Sequence, residues 1–235
     1  MNVQRYARVA AVLLLVSMIA GGFGEGYMPS KIIVSGDPAA TVANITNFNF
    51  LYRLGFAAFL IESLCDIALV MIFYALLRPV NRNLSLLAAF FGLVGTAVFA
   101  VGELFYLAPT LLVSNPASMT SFSTDQINGL VQLSFRFASL AGMGTTAYYG
   151  MSWLVRAHLI FRSGYLPKTL GVVMGIAGLG FVVRNFLLIL APAYASMVLL
   201  MLMLPAGLLL MGWLFIKGVN VQKWNERIEA TAHPA

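Results

Sequence analysis

The stretch Ala57–Leu77, AAFLIESLCDIALVMIFYALL, decides the fold. It is as long as a helix needs to be to cross a hydrocarbon core of about 30 Å, and Glu62 and Asp66 are its only charged residues. Its apolar residues surround the whole helix, whereas a surface helix of a soluble protein keeps one polar face. Arg78-Pro79 closes it with a residue that cannot continue a helix. Outward from this stretch, five more of the same kind occur, at Ala7–Phe23, Leu84–Leu107, Arg136–Val155, Leu170–Leu190 and Ala195–Ile216.

Composition agrees. Of 235 residues, 60% are hydrophobic and 9% charged, against roughly 25% charged in a soluble domain. So little charge cannot cover a water-soluble globule, which excludes a soluble enzyme and a disordered chain. Cys65 is the sole cysteine and has no partner within the chain for a disulfide. The formal net charge is +6, but the basic residues stand at the ends of the apolar segments, as topology requires, and form no patch for nucleic acid.

Lys and Arg in short loops orient a membrane protein. With the N-terminus in the cytoplasm, Arg5, Arg8, Arg78, Arg82, Arg156, Arg162, Lys168, Lys217, Lys223 and Arg227 all fall inside. Lys31 and Arg53 remain on the outer side, and Pro109–Asp125 has neither Lys nor Arg. Arg5 and Arg8 before an apolar run that ends near Ala20-Gly21-Gly22 also resemble a signal peptide, but the run is read as the first span. Trp153 and Trp213 are expected as interfacial anchors at inner helix ends.

The fold expected is therefore all-α, a polytopic membrane protein built as a six-transmembrane-helix bundle with both termini cytoplasmic. It forms a single domain over residues 1–235, with helices at about 7–23, 40–77, 84–107, 124–161, 170–190 and 195–216. Asp37-Pro38 is a good helix start, an N-cap acceptor before a residue suited to the first turn, and no breaker intervenes before Arg78. Thr124 or Ser123 can cap a second long helix. Both helices would project beyond the outer face and form a small extracytoplasmic collar with the loops Glu25–Gly36 and Pro109–Phe122. The tail after Lys217 reads as a short amphipathic surface helix.

Charges within membrane spans cost about 2.5–3.5 kcal/mol each on insertion scales, so each needs a reason. Glu62, Asp66, Glu103, Arg136 and Arg184 all come out in the outer half. Glu62 and Asp66 share a helix face at i, i+4 with Gly55 and Ala58; Arg136 shares one with Gln132, and Arg184 shares one with Gly180 and Ala177. Small residues mark faces that pack on other helices, so the charges are expected to converge inside the bundle. Glu62 pairs by depth with Arg184, and Glu103 with Arg136. Asp66 is left without an evident partner.

The expected site is an outward-facing polar cavity that binds a small amphiphilic or anionic ligand or a lipid headgroup, for transport or sensing. Its candidate residues are Glu62, Asp66, Glu103, Gln132, Arg136, Arg184 and Asn185. The alternative is a non-catalytic membrane scaffold whose buried ion pairs are structural. A third reading is an intramembrane lipid-modifying enzyme with Glu62 or Asp66 as base. Catalytic signatures are missing: His158 and His233 are not a metalloprotease pair, no G-x-S-x-G elbow occurs, and Cys65 is an apolar packing thiol. No metal, no cofactor and no nucleic acid is expected, and membrane lipid is the expected partner.

Several ordered motifs resemble a known family. They are Gly36-Asp37 with Ala40-Thr41 and Asn44-Ile45, then Leu51-Tyr52-Arg53-Leu54-Gly55, then Leu76-Leu77-Arg78-Pro79-Val80-Asn81-Arg82 with Leu86–Phe90, and Arg162–Lys168 with Leu170-Gly171. Over roughly Arg5–Leu214 the chain resembles the bacterial domain of unknown function 4386 family. The resemblance implies a bacterial inner-membrane protein of about six helices, and no activity. Members of that family often carry an acidic residue near the Arg184-Asn185 position, so Arg184 departs from its pattern.

Overall fold

A computed structural model describes residues 2–114 and 121–232. The described residues form helices and no strand: α1 (Val3–Gly21), α2 (Met28–Ile32), α3 (Pro38–Asn47), α4 (Asn49–Leu77), α5 (Arg82–Leu107), α6 (Pro109–Ser114), α7 (Thr124–Ser163), α8 (Lys168–Leu190), α9 (Met197–Met201), α10 (Met203–Ile216) and α11 (Val221–Ala232). Part of the expected loop Pro109–Phe122, with Ser118, lies outside the described residues, as does His233.

Among the described residues, five segments are long and apolar enough to cross a membrane: Val3–Ile32, Asn49–Leu77, Arg82–Val113, Lys168–Leu190 and Met197–Ile216. This is an all-helical membrane protein. The expected span Arg136–Val155 lies within α7, the longest helix, which is not among the five. Its polar and small residues, such as Ser139, Gly142, Thr145, Thr146 and Ser152, lower its mean hydropathy.

Local chemistry sets the helix ends. The Asp37 carboxylate accepts from the Ala40 backbone N–H at 2.8 Å, with Pro38 at the first helical position. The helix that starts there stops at Phe48, and α4 begins one residue later. That break is a departure from the uninterrupted helix expected, in a run rich in Asn (Asn44, Asn47, Asn49), a residue of low helix propensity. Ser123 rather than Thr124 caps α7: its Oγ accepts from the Gln126 N–H at 3.3 Å, and Gln126 Oε1 accepts from the Ser123 N–H at 2.8 Å, a reciprocal capping box.

Two further corrections concern loops and breaks. Residues expected as the loop Glu25–Gly36 are helical as far as Ile32, because a π-helical stretch over Gly22–Tyr27 carries α1 into α2. The final span is divided at Leu202 into α9 and α10, as Pro205 lacks an N–H and clashes one turn back.

The chain divides into two compact units. One comprises Met1–Leu15, Cys65–Thr96 and Gly144–Ala235; the other comprises Val16–Leu64 and Ala97–Met143. The first is built on Leu76 and Leu77, Leu159 and Ile160, Met174, Leu210 and Leu214, with Trp224 of α11 buried among them. Trp153 belongs to this core and is not an interfacial anchor, whereas Trp213 is exposed and donates to the Gly218 carbonyl at 3.0 Å. Glycines let α7 and α8 approach closely: a Cβ on Gly178 would stand 2.9 Å from the Gly150 carbonyl oxygen.

The motif Arg162–Lys168 is a structural seam of the same unit. Gly164 takes a left-handed conformation (φ 78° is seen at Gly36, 76° here) that ends α7. Tyr165 then donates its hydroxyl to the Leu76 carbonyl at 2.6 Å, and the Trp224 indole N–H donates to the same oxygen at 3.3 Å. Leu76 stands at the end of α4, where carbonyls lose their helical partners. Burial pushes the Tyr165 phenol above its ordinary value, with Arg227 opposing.

The second unit is built on an aromatic cluster. Tyr52 and Tyr106 stack at 5.2 Å, with Phe59 and Phe135 edge-on to Tyr106 at 5.5 and 5.3 Å. The Tyr52 hydroxyl donates to the Tyr106 carbonyl, and the Tyr106 hydroxyl donates to Met28 Sδ at 3.2 Å.

Candidate functional site

In the first unit, α4, α5 and α7 bring a partly buried polar chain together. Tyr149 and Arg156 on α7, with Ser152 between them, recur at i, i+3 and i+7 and so share one face. Gly92 and Thr96 on α5 share another at i, i+4. The Tyr149 hydroxyl donates to Asp66 Oδ2 at 2.6 Å, a length typical of an O–H donor on a carboxylate. Tyr149 and Thr96 hydroxyls meet at 3.0 Å, and Thr96 Oγ1 reaches the Gly92 carbonyl at 3.0 Å. Asp66, which the sequence left without a partner, therefore has one.

Arg156 lies beside this chain. It is 8% exposed, with its guanidinium 5.0 Å from the centre of the Phe73 ring, a cation–π arrangement. Asp66 and Tyr149 act on it electrostatically. Gly92 makes room for it, since a Cβ there would stand 3.1 Å from Arg156 Nη2. Ser152 donates to the Ala88 carbonyl at 2.7 Å and holds α7 against α5 at this level. The positive-inside count took Arg156 only as a charge at a helix end; the structure packs it against protein. The polar face Tyr149–Ser152–Arg156 is the signal that could have found it.

In the second unit a cavity of about 260 Å³ opens between the turn Ile33–Asp37 and α7. Gln132 and Arg136 line it together with Ser35, Thr41 and Ser139; Ile33, Val34, Val131 and Phe135 supply an apolar wall. Arg136 and Gln132 are exposed. Asp37 also borders the cavity, but its carboxylate caps α3. Among the described residues no hydrogen bond or ion pair engages the Arg136 guanidinium, so the ion pair expected between Arg136 and Glu103 is absent.

The remaining candidates lie apart from that cavity. Glu103 is half-buried near Tyr52 and Tyr106; its Oε2 has no hydrogen-bond partner, and its electrostatic neighbour is a like charge, Glu25. The Glu62 carboxylate rests against Gly21, where a Cβ would stand 2.8 Å from Oε1. Glu62 belongs to the second unit, Arg184 and Asn185 to the first. Arg184 is half-buried with an unbonded Nε. Asn185 is buried and donates to Thr146 Oγ1 at 2.8 Å and to the Phe181 carbonyl at 2.9 Å, which ties α8 to α7. Cys65 is buried, and His158 is an exposed position within α7. Among the described residues no cluster of three or more His, Cys, Asp or Glu side chains could hold a metal ion.

Residues 9–218 match a family described as Domain of unknown function (DUF4386). An uncharacterized protein of Archaeoglobus fulgidus is 28% identical over 122 residues, which is 52% of this chain and 59% of that relative's length. The match thus spans little more than half of the curated relative. No solved structure matches the chain.

Proposed function

The chain belongs to the DUF4386 family, whose description carries no activity, and from its own residues we propose that it is a multi-pass protein of the bacterial inner membrane that binds a small anionic amphiphile at Arg136, for transport or sensing. The observation that carries this reading is a guanidinium that no ion pair or hydrogen bond engages among the described residues, set in a cavity with an apolar wall. Arg presents a planar fork of donors suited to phosphate or carboxylate. Gln132 and Ser139 add neutral hydrogen-bonding groups, while Ile33, Val34 and Phe135 suit the hydrocarbon next to a headgroup. At about 260 Å³ the cavity lies just below the range of about 300–1,000 Å³ usual for drug-sized ligands. It suits a headgroup and not a whole lipid.

In this reading α7 is the sixth crossing, its 40 residues spanning roughly 60 Å at about 1.5 Å per residue. Both termini lie in the cytoplasm and the cavity faces outward, which the distribution of Lys and Arg supports.

The test is thermal stability of the purified protein in detergent with added phosphatidylglycerol, phosphatidylcholine or inorganic phosphate. Phosphatidylglycerol should stabilise the wild type and not Arg136→Gln, an exposed substitution that leaves the fold intact. Stabilisation by inorganic phosphate as well would identify a soluble anion as sufficient. If no probe distinguishes the wild type from Arg136→Gln, the cavity binds no anion and the scaffold reading replaces this one.

A further inference from the structure

We infer that Asp66, Tyr149 and Thr96 form a reversible proton-binding chain inside the first unit, with Arg156 as its counter-charge. The inference is independent of the Arg136 cavity and rests on counting hydrogens. Tyr149 and Thr96 each own one hydroxyl proton and can also accept. With Asp66 ionised, Thr96 donates to Tyr149, and Tyr149 donates to Asp66 Oδ2 across 2.6 Å. When water delivers a proton to Asp66, an O–H bond forms on the carboxylate and the chain reverses. Asp66 then donates to Tyr149, Tyr149 to Thr96, and Thr96 to the Gly92 carbonyl at 3.0 Å. Each hydroxyl proton of the chain has an acceptor in both states, without any side chain leaving its place.

A purely structural anchor for Asp66 needs only the one donor. The Thr96 hydroxyl, within reach of both Tyr149 and the Gly92 carbonyl, gives the chain a second direction in which to run. The charges around the chain are few. Asp66 stands on α4 next to Cys65 and one turn after Glu62; α7 contributes Tyr149 and Arg156; α5 contributes Gly92 and Thr96, which carry no charge. In the same core α8 has no ionisable residue between Lys168 and Arg184, and α10 has none at all. In α1 the ionisable residues are Arg5, Tyr6 and Arg8, the last bonded to the Leu214 and Ile216 carbonyls. Asp66 is partly buried within a membrane span, with Tyr149 as its hydroxyl partner. Ionisable groups of this kind inside membrane segments serve as proton relays.

The experiment is pH-difference infrared spectroscopy of the full chain in lipid, from about pH 5 to about pH 9, the range in which buried carboxylates titrate. The wild type should show a protonated-carboxyl band that titrates in this range, and Asp66→Asn should lack it. If Asp66→Asn does not fold, Asp66→Glu serves instead, as it should shift the band in frequency. Tyr149→Phe removes the relay hydroxyl and should move the midpoint by about one pH unit or more, the equivalent of one charge-assisted hydrogen bond. A band that survives Asp66→Asn, no titrating band in the wild type, or a midpoint indifferent to Tyr149→Phe overturns the inference and leaves a structural network.

Discussion

Gly178→Ala tests the close approach of α7 and α8, on which the polar face of α7 depends. The new Cβ would stand 2.9 Å from the Gly150 carbonyl oxygen and 3.1 Å from the Leu154 nitrogen, both backbone atoms that cannot rotate away. Carbon–oxygen contacts between packed helices sit at about 3.3–3.6 Å, so α8 must retreat by about half an ångström. A gap of that size forfeits about a quarter of the dispersion energy of the contacts it opens, and overpacking of this kind costs about 1–3 kcal/mol. The gain in helix propensity, about 1 kcal/mol for Gly to Ala, offsets part of it. Gly175→Ala is the control on the same helix: its Cβ would meet only the Ala157 methyl at 3.6 Å, an ordinary contact, so the propensity gain stands alone. Thermal denaturation in one detergent should rank Gly175→Ala above the wild type and Gly178→Ala below it. Because membrane proteins commonly unfold irreversibly, half-lives at a fixed temperature make the same comparison. Equal stability of the two variants would refute the packing argument.

Two further outcomes are expected. Tyr165→Phe should cost about 0.5–1.5 kcal/mol, the usual net value of one hydrogen bond, since Trp224 still serves the Leu76 carbonyl. The Tyr165 phenol is held above its ordinary value, so its contribution is complete below about pH 10, where the unfolded phenol is also neutral, and is lost as pH rises further. The wild type should therefore lose stability at alkaline pH in a way that Tyr165→Phe does not, and equal alkaline profiles in denaturation experiments would refute the role. Reporter fusions after Arg82, Lys168 and Lys217 should report the cytoplasm, and fusions near Ser35 and Pro192 the outside; an external signal after Lys168 would invert the topology proposed.

What the sequence determined by itself was decided by chemistry local to a segment. Uninterrupted apolar stretches such as Ala57–Leu77 must be helical in lipid, because every backbone group has to be satisfied within its own segment. The Asp37 cap and the start of α7 next to Ser123 and Thr124 were legible for the same reason, as each joins a side chain to a backbone group three residues away. The family was legible because its motifs lie in order along the chain.

Tertiary structure decided what depends on distant residues. Asp66 and Tyr149 are 83 positions apart, and no periodicity within either helix reveals that they meet. Arg156 is only a basic residue near a helix end in the sequence, and packing sets it beside Phe73 and Gly92. Arg136 and Glu103, similar in estimated depth, do not pair, because depth fixes only one of the coordinates that bring two side chains together. The others are the rotation of each helix and its choice of neighbour, and small residues such as Gly92, Gly150 and Gly178 settle those only once the helices are packed.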